Sequence, residues 1–428
     1  MGRMVVHLEG LRVGFGRTTR AWAGAYTLLA ILSACDAAAE PARAQRQERV
    51  VVVATNPAGV PLHPAERSRA VSGRLPDRTE VEVVRWADDR RWLEVRSADG
   101  TRGWITARYV AEPGVTPAPI DPWASREACL SALERAPRDR KRARLGSWNL
   151  RWFPDGTSRG PSETPTDLEW VACLVATMRI DALAVQEMVL HARGRAAVER
   201  LIGHLNRLAG GSWRAVFDEC PRDGRQHVGW LVDAAKVEVL ETRQLDAVNA
   251  LGGCRGNLRP GSAVRLRFSG GLDLWGIAVH LDSGRSPRDH ANRRSGFDAL
   301  VRAAAELGEA DDDVVVLGDL NTMGCDGCPI PLDARAEIAA LDAALAARME
   351  RVAPTVPCTE LYRGSGSLLD HVLVSRSMRE LPNDARAEVH GPCASLRCEL
   401  PRGVRPAMLD HLSDHCPLVV ELDARDLD

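Results

Sequence analysis

The chain has 428 residues, 45% of them hydrophobic, 27% charged and 4% aromatic, with a formal net charge of -2. That length exceeds one ordinary compact domain, and the composition excludes both a disordered chain and a multi-span membrane protein. The near-neutral charge balance argues against a protein that grips long duplex DNA through many phosphate contacts, although arginine clusters remain available locally.

The first predicted element is an apolar run from Ala21 to Ala34, preceded by Arg17 and Arg20 and followed by Cys35. It is too short for a comfortable membrane span, and a basic flank with an apolar core reads as an export signal. The residues Leu32-Ser33-Ala34-Cys35 resemble the bacterial lipobox. That resemblance implies lipidation of Cys35, an exported protein anchored to the membrane on its periplasmic or cell-surface side, and an effect of Asp36 on sorting; an ordinary signal peptide or anchor helix is the alternative. Residues 1–35 are thus read as signal, and 36–48, rich in Ala, Arg and Gln, as a tether. Ten cysteines follow Cys35. In an exported chain such an even set predicts disulfides, whose pairing the sequence leaves open. The spacing Cys325-Asp-Gly-Cys328 also fits half of a zinc site, but no second CxxC or HxxxH partner accompanies it.

Short strand-like runs come next, at Val50 to Ala54, Glu80 to Trp86, Trp92 to Arg96 and Gly103 to Ile105, with turn signals at Asn56-Pro57, Pro64 and Asp99-Gly100. Their order, ending in Gly103-Trp104-Ile105 and Tyr109-Val110, resembles the bacterial SH3-like domain. The resemblance implies a small β-barrel over residues 49–112, with Trp92 and Trp104 in its core and a cell-wall or peptide ligand as partner. Residues 113–144 are read as a proline-rich linker followed by a short basic helix near Ser125 to Arg144.

From 145 to 424 strands and helices alternate. Strands are expected at Leu145 to Phe153, Asp181 to Val185, Trp213 to Phe217, Val228 to Val232, Val237 to Thr242, Ala263 to Phe268, Leu272 to His280, Val314 to Leu317, Leu368 to Val374 and Cys416 to Leu422. Helices are expected at Asp167 to Met178, Ala196 to Leu208 and Asn292 to Leu307. Mixed αβ connections beside β-hairpins predict two packed, mainly antiparallel sheets flanked by helices.

Polar groups terminate several of these apolar strands, where a side chain is held rigidly and still reaches solvent. Asn149 stands in Gly-Ser-Trp-Asn-Leu, Glu187 ends Leu-Ala-Val-Gln-Glu, and His280 ends Ile-Ala-Val-His. Asp319 and Asn321 follow Val-Leu-Gly, two residues apart and so on one side of an extended segment. Leu369-Asp370-His371 and Ser413-Asp414-His415-Cys416-Pro417 complete the set. Together, in this order, these segments resemble the signature motifs of the endonuclease/exonuclease/phosphatase superfamily over about Leu145 to Leu422.

The resemblance implies a four-layer α/β sandwich and a metal-dependent phosphodiesterase, with nuclease activity foremost. It makes Glu187 the main ligand of Mg²⁺ or Mn²⁺, with Ca²⁺ a third option, and places Asn149 and Asp414 close by. Asp319 would orient or deprotonate water, Asn321 donate to the phosphoryl group, His415 contact the scissile phosphate with Asp370 behind it, and His280 serve as acid for the leaving oxygen. An acidic residue often follows the first motif Asn by two positions; Arg151 stands there instead, which weakens transfer of an abasic-site specificity. Arg293 and Arg294, in the basic run after His280, are candidate substrate contacts. A brace between Cys325 or Cys328 and Cys358, comparable to one in deoxyribonuclease I-like enzymes, is implied as well. A monomer acting on phosphodiesters, nucleic acid included, is the favoured reading. The alternatives are a sphingomyelinase-like or other small-molecule phosphoesterase, and an inactive surface protein that binds through its SH3-like domain.

Overall fold

The computed structural model describes residues 48–427 apart from short segments at 53–58, 77–78, 112–120, 134–141, 161–162, 222–224, 310–311, 363–364 and 401–404. The lipobox Cys35, the tether and most of the proline-rich stretch lie outside the described residues.

The chain enters through β1 (Arg49–Val52), β2 (Val60–Leu62), β3 (Gly73–Leu75), β4 (Glu80–Trp86), β5 (Trp92–Ser97), β6 (Arg102–Thr106) and β7 (Val110–Ala111). Five of them form a sheet in the order β6-β5-β4-β1-β7, and β2 pairs with β3. No pairing between β6 and β7 closes this sheet among the described residues; a bridge between His63 and Trp104 ties the ribbon of β2 and β3 to β6. Strand alternation selects its core: Leu93 and Val95 point inward from β5, against Val52, Val81 and Ile105. Trp104 is buried as expected, with the Arg85 guanidinium 4.9 Å above its ring. Trp92 is not a core residue. It alternates with Leu93, stays half-buried and meets the edge of the His63 ring at 5.2 Å.

The larger part runs α1 (Arg126–Ala132), β8 (Arg142–Phe153), α2 (Leu168–Met178), β9 (Ala182–Val189), α3 (Ala192–Leu208), β10 (Trp213–Phe217), β11 (Gln226–Asp233), β12 (Val237–Leu245), β13 (Gly261–Phe268), β14 (Asp273–His280), α4 (Pro287–Leu307), β15 (Val314–Asp319), α5 (Ala334–Leu345), β16 (Met349–Arg351), β17 (Glu360–Tyr362), β18 (Ser365–Ser367), β19 (Asp370–Ser375), β20 (Glu388–Val389), α6 (Pro392–Ser395), α7 (Met408–His411) and β21 (Leu418–Asp423). The helix expected over Ser125 to Arg144 shrinks to α1. Ser125 caps it by accepting the Ala128 N–H, and Arg142 already belongs to β8. The segment is no free linker, because Cys129 is bonded to Cys173 of α2 and the Trp123 ring packs edge-on at 5.9 Å from Trp148. Helix α4 begins five residues ahead of expectation, since Ser286 and Asp289 form a reciprocal capping box with Pro287 in the first turn.

Two six-stranded sheets, β10-β11-β9-β8-β21-β20 and β12-β13-β14-β15-β19-β16, make up the two inner layers. Leu183, Val185, Leu231, Leu274, Val315 and Leu317 share the main core. Trp230 is fully buried there, and a Cβ on Gly276 would lie 2.8 Å from its ring, so the missing side chain at 276 is what seats the indole. On the outer face of the second sheet, Phe297, Leu300 and Leu341 of α4 and α5 cover Ile277, Val279 and Leu373.

Almost all pairing is antiparallel; β8 with β9 and β14 with β15 are parallel, each joined through a crossover helix. This placement brings the ends of four strands to one edge of the sandwich, two per sheet. Antiparallel β19 and β21 begin at that same edge.

All ten described cysteines are bonded: Cys129–Cys173, Cys220–Cys254, Cys325–Cys328, Cys358–Cys398 and Cys393–Cys416. The expected brace from Cys325 or Cys328 to Cys358 is absent. Cys325 and Cys328 close their own short loop, while Cys358 is taken by Cys398 beside the β17–β18 hairpin. The Cys325–Cys328 bond consumes the thiolates that a zinc site would need.

Candidate active site

The parallel register sets His280 beside Asp319, and the antiparallel register sets Asp319 beside Asp370. Three functional side chains therefore lie on adjacent strands of one sheet. Gly318 makes this approach feasible: its φ is +151°, and a Cβ there would sit 2.1 Å from the Val279 carbonyl oxygen. The other sheet supplies Asn149 from β8 and Glu187 from β9. Glu187 itself has φ +61° where the register slips, which swings its carboxylate out of strand alternation and into the cleft.

Asp319 is the hub. Asn149 Nδ2 donates to it at 3.0 Å, His280 Nε2 lies 3.5 Å from its Oδ2, and His415 Nε2 lies 3.9 Å away. Its Oδ1 accepts the backbone N–H of Asn321 at 2.9 Å. Asn149 Nδ2 also donates to Glu187 at 3.1 Å, so this amide bridges the two carboxylates across the sheets, while its Oδ1 accepts the Arg151 N–H. Glu187 receives two further donors, the Trp152 N–H at 2.9 Å and Gln226 Nε2 at 2.6 Å. The Trp152 contact exists because Arg151 and Trp152 adopt φ of +39° and +47°, which curls the chain back over β9.

His415 is anchored from three sides. Its Nδ1 lies 2.8 Å from Asp370 Oδ2, its backbone N–H donates to Ser413 Oγ, and its carbonyl accepts the Trp148 indole N–H. Thr359 Oγ1 accepts the N–H groups of Leu369 and Asp370 and so fixes the carboxylate end of that pair. Asn321 spends one amide N–H on the Leu281 carbonyl.

Electrostatics separate the two histidines. Burial drives both toward the neutral form. At His415 the charge and hydrogen bond of Asp370, with Asp319 and Asp414, override it and hold the imidazolium well above its ordinary pKa. His280 Nε2 faces Asp319 and Glu187 at 3.5 and 3.9 Å, but among the described residues no carboxylate bonds its Nδ1. Burial first, then the positive Arg259 and His415, press it well below the ordinary value, and its Nδ1 finds no hydrogen-bond partner. In this environment His280 is a neutral hydrogen-bond donor; the expected acid role needs the negative charge of an arriving substrate to restore its proton. Asp319 is raised to about 8, by burial foremost and by Asp370 and Glu187, against the pull of His415 and Asn149.

The cavity at this edge has a volume of ≈ 320 Å³ and is lined by Glu187, His280, Asp319, Asn321, Asp414 and His415, with Arg151, Trp152, Ser158, Met323, Glu360 and Tyr362 around them. A divalent cation suits this donor set. Four carboxylates converge on the cavity, and the repulsion of Asp370 and Glu187 adds to the burial that raises Asp319, a repulsion that a hard cation would relieve. Glu187 and Asp414 both line the cavity, whereas Asn149 turns its Nδ2 toward Glu187 and Asp319 and its Oδ1 toward the Arg151 N–H. Asp319, Asp370 and His415 are also within ligand distance of one another, but the His415–Asp370 hydrogen bond already commits two of the three.

Other expected residues fall elsewhere. Arg293 is not a substrate contact: it is fully buried, its guanidinium forked onto Glu337 at 2.8 and 3.1 Å and donating to the carbonyls of Asp282, Gly284 and Gly324. It staples the loop after His280 to the loop after Asn321. Arg294 is exposed and does not line the cavity. His227 is buried and bonded to Asp218, and His371 turns from the site toward Thr322. Two contributors were missed. Glu360 sits half-buried beside Asp414 and His415, its carboxyl raised mainly by burial. Arg259, held by the carbonyls of Asn257 and Leu281, extends its charge to Glu187 and Asp319. Neither carried a sequence signal, since Glu360 stands in Cys-Thr-Glu-Leu-Tyr with no apolar run around it.

A family model described as the Endonuclease/Exonuclease/phosphatase family matches residues 146–415. No curated protein matches the chain. Similar solved structures include the human Nocturnin catalytic domain with bound sulfate, at 13% identity over 66% of this chain and 94% of that one, with a TM-score of 0.44. Truncated TDP2 from Caenorhabditis elegans aligns at 15% identity over 66% and 98%, with a TM-score of 0.45. A Bacteroides vulgatus endonuclease/exonuclease/phosphatase aligns at 15% identity over 67% and 99%, with a TM-score of 0.44.

Proposed function

Because the chain belongs to the endonuclease/exonuclease/phosphatase family, whose members are metal-dependent hydrolases of phosphoester bonds, we propose that its cleft hydrolyses phosphodiesters, nucleic acid first among them. The observation that carries this reading is the convergence on Asp319 of Asn149, His280 and His415, with Glu187 one hydrogen bond away.

Water attacks phosphorus in line, one P–O bond breaks, and the products are a phosphomonoester and an alcohol. Asp319 is a buried carboxylate that lines the cavity beside both histidines, and once ionised it can take the proton of that water. His415, kept charged by Asp370, stabilises the phosphoryl oxygens and can pass its proton to the leaving oxygen. His280 and Asn321 donate hydrogen bonds from the sides. Glu187 and Asp414 would hold a Mg²⁺ or Mn²⁺ ion, which would supply Lewis-acid stabilisation of the charge that grows during displacement.

The same reading takes the protein to be exported and held to a membrane through Cys35, with residues 49–112 an SH3-like module for a cell-wall or peptide ligand. A sphingomyelinase-like activity calls for an apolar docking surface beside the cleft. Ile330, 83% exposed, is a single side chain and no such surface.

Purified protein offered plasmid DNA, RNA, bis-para-nitrophenyl phosphate and sphingomyelin should turn over the diesters with Mg²⁺ or Mn²⁺ and lose all activity in chelator. Glu187→Ala and His415→Ala should each lower kcat by about a hundredfold or more while remaining folded. Full turnover by either variant would refute the assignment.

A further inference from the structure

Two aromatic rings border the cavity, and the chemistry above uses neither. The chain has few to spare: 11 Trp, 3 Tyr and 5 Phe among 428 residues. Trp152 is held at the Glu187 side, because its own N–H donates to Glu187 and two consecutive left-handed residues turn the chain there. Tyr362 is 49% exposed and comes from the His415 side. It ends β17, where Glu360 bridges to His415 and the Leu361 N–H donates to the Asp414 carbonyl. The backbone beside each ring is thus tied to one half of the catalytic set, and both residues line the same cavity.

Charge points the same way. Among the described residues, the cavity lining carries four carboxylates, Glu187, Asp319, Glu360 and Asp414, against one guanidinium. That guanidinium, Arg151, already donates to the carbonyls of Leu409 and Asp410. Among the described residues the lining offers a polyanion only Arg151 and the His415 imidazolium, so uncharged surface is what remains for recognition beyond the scissile phosphate. A base stacks on an aromatic face without regard to its sequence, and a ≈ 320 Å³ cavity suits a group of nucleotide size.

We propose that Trp152 and Tyr362 form an aromatic clamp for the nucleobase attached to the scissile phosphate, which makes the substrate a short or single-stranded nucleotide diester. This inference rests on the phosphodiesterase reading and specifies its substrate. Duplex DNA keeps its bases stacked inside and offers the clamp nothing, whereas a dinucleotide or a strand end presents a ring beside the phosphorus atom.

The test compares two diesters with Mg²⁺ present: dithymidine monophosphate, which carries bases, and glycerophosphoethanolamine, which carries none. In the wild type the base-bearing ester should have the higher kcat/KM. Trp152→Ala and Tyr362→Ala should each lower the ratio of the two kcat/KM values by about tenfold or more, mainly through KM, and Trp152→Phe should restore most of it. An unchanged ratio, with both esters slowed alike or neither slowed, overturns the clamp. Binding gives an independent readout: thymidine monophosphate should quench wild-type tryptophan fluorescence more strongly than that of Trp152→Phe, and equal quenching overturns the proposal. Should the wild type hydrolyse neither ester nor bis-para-nitrophenyl phosphate, the phosphodiesterase reading fails, and the quenching comparison still decides the clamp.

Discussion

Replacing Asp370 with Asn tests the electrostatic core of the site, because the change keeps shape and removes one charge. Asp370 Oδ2 lies 2.8 Å from His415 Nδ1, and both groups are buried. The protein contains its own control. His280 has similar burial and no carboxylate behind its ring, and it is pressed well below the ordinary imidazole pKa. Without Asp370, burial, the largest single influence on His415, is opposed by Asp319 and Asp414 alone and should move it toward the neutral state of His280. The loss of a charged acid and of its orientation is worth on the order of 10²–10⁴ in kcat, or about 3–5 kcal/mol of transition-state stabilisation. The pH profile should move as well. A raised imidazolium keeps the wild type active on the alkaline side of 6.5, and the variant should retain activity only toward acid pH. The assay is steady-state hydrolysis of bis-para-nitrophenyl phosphate from about pH 5 to pH 9, with circular dichroism to verify folding. A loss of less than about tenfold with an unmoved alkaline limb would refute the reasoning.

Stability should show the charge excess directly. Asp319 is raised to about 8, so the folded metal-free protein binds a proton that the unfolded chain has already released, and stability falls as pH rises from about 4 toward 8. Between about 6.5 and 8 His415, also raised, acts with the same sign; Asp319→Asn should flatten the fall in melting temperature there, and added Mg²⁺ should offset it in the wild type. A steeper fall in the variant would contradict this. Arg293→Met strands the buried Glu337 carboxylate and should cost about 3–5 kcal/mol in urea denaturation, whereas Arg294→Ala should cost less than about 0.5 kcal/mol. Equal effects would mean that the buried pair has no structural role.

Much of the site was legible because its residues break an apolar pattern. Asn149, Glu187, His280 and Asp319 each end a run that otherwise reads as buried strand, and a polar group in that position has to be held by something. The βαβ rhythm around α2 and α4 carried the layering as well. What stayed hidden depends on contacts remote in sequence. Whether Arg293 or Arg294 faces the cleft is a matter of helical phase against Glu337, 44 residues away. Glu360 belongs to a three-residue strand with no periodicity to read, placed by a bridge to His415 and by the bond from Cys358 to Cys398. Cysteine spacing identified the bonded state but not the partners. α1 stops at Leu133, where the backbone turns extended, and the basic composition gave no sign of that stop.

The catalytic groups come from both inner layers, Asn149 and Glu187 from one and His280, Asp319 and Asp370 from the other, with Trp230 locked over Gly276 between them. Hydrolysis is therefore an all-or-nothing property of the assembled sandwich. A proteolytic fragment ending before β13 would keep Asn149 and Glu187 but not Asp319, and one beginning there would keep Asp319 without Glu187. Turnover consequently reports on the seating of one layer upon the other. A slip of an ångström there should silence the enzyme while its secondary structure still looks intact.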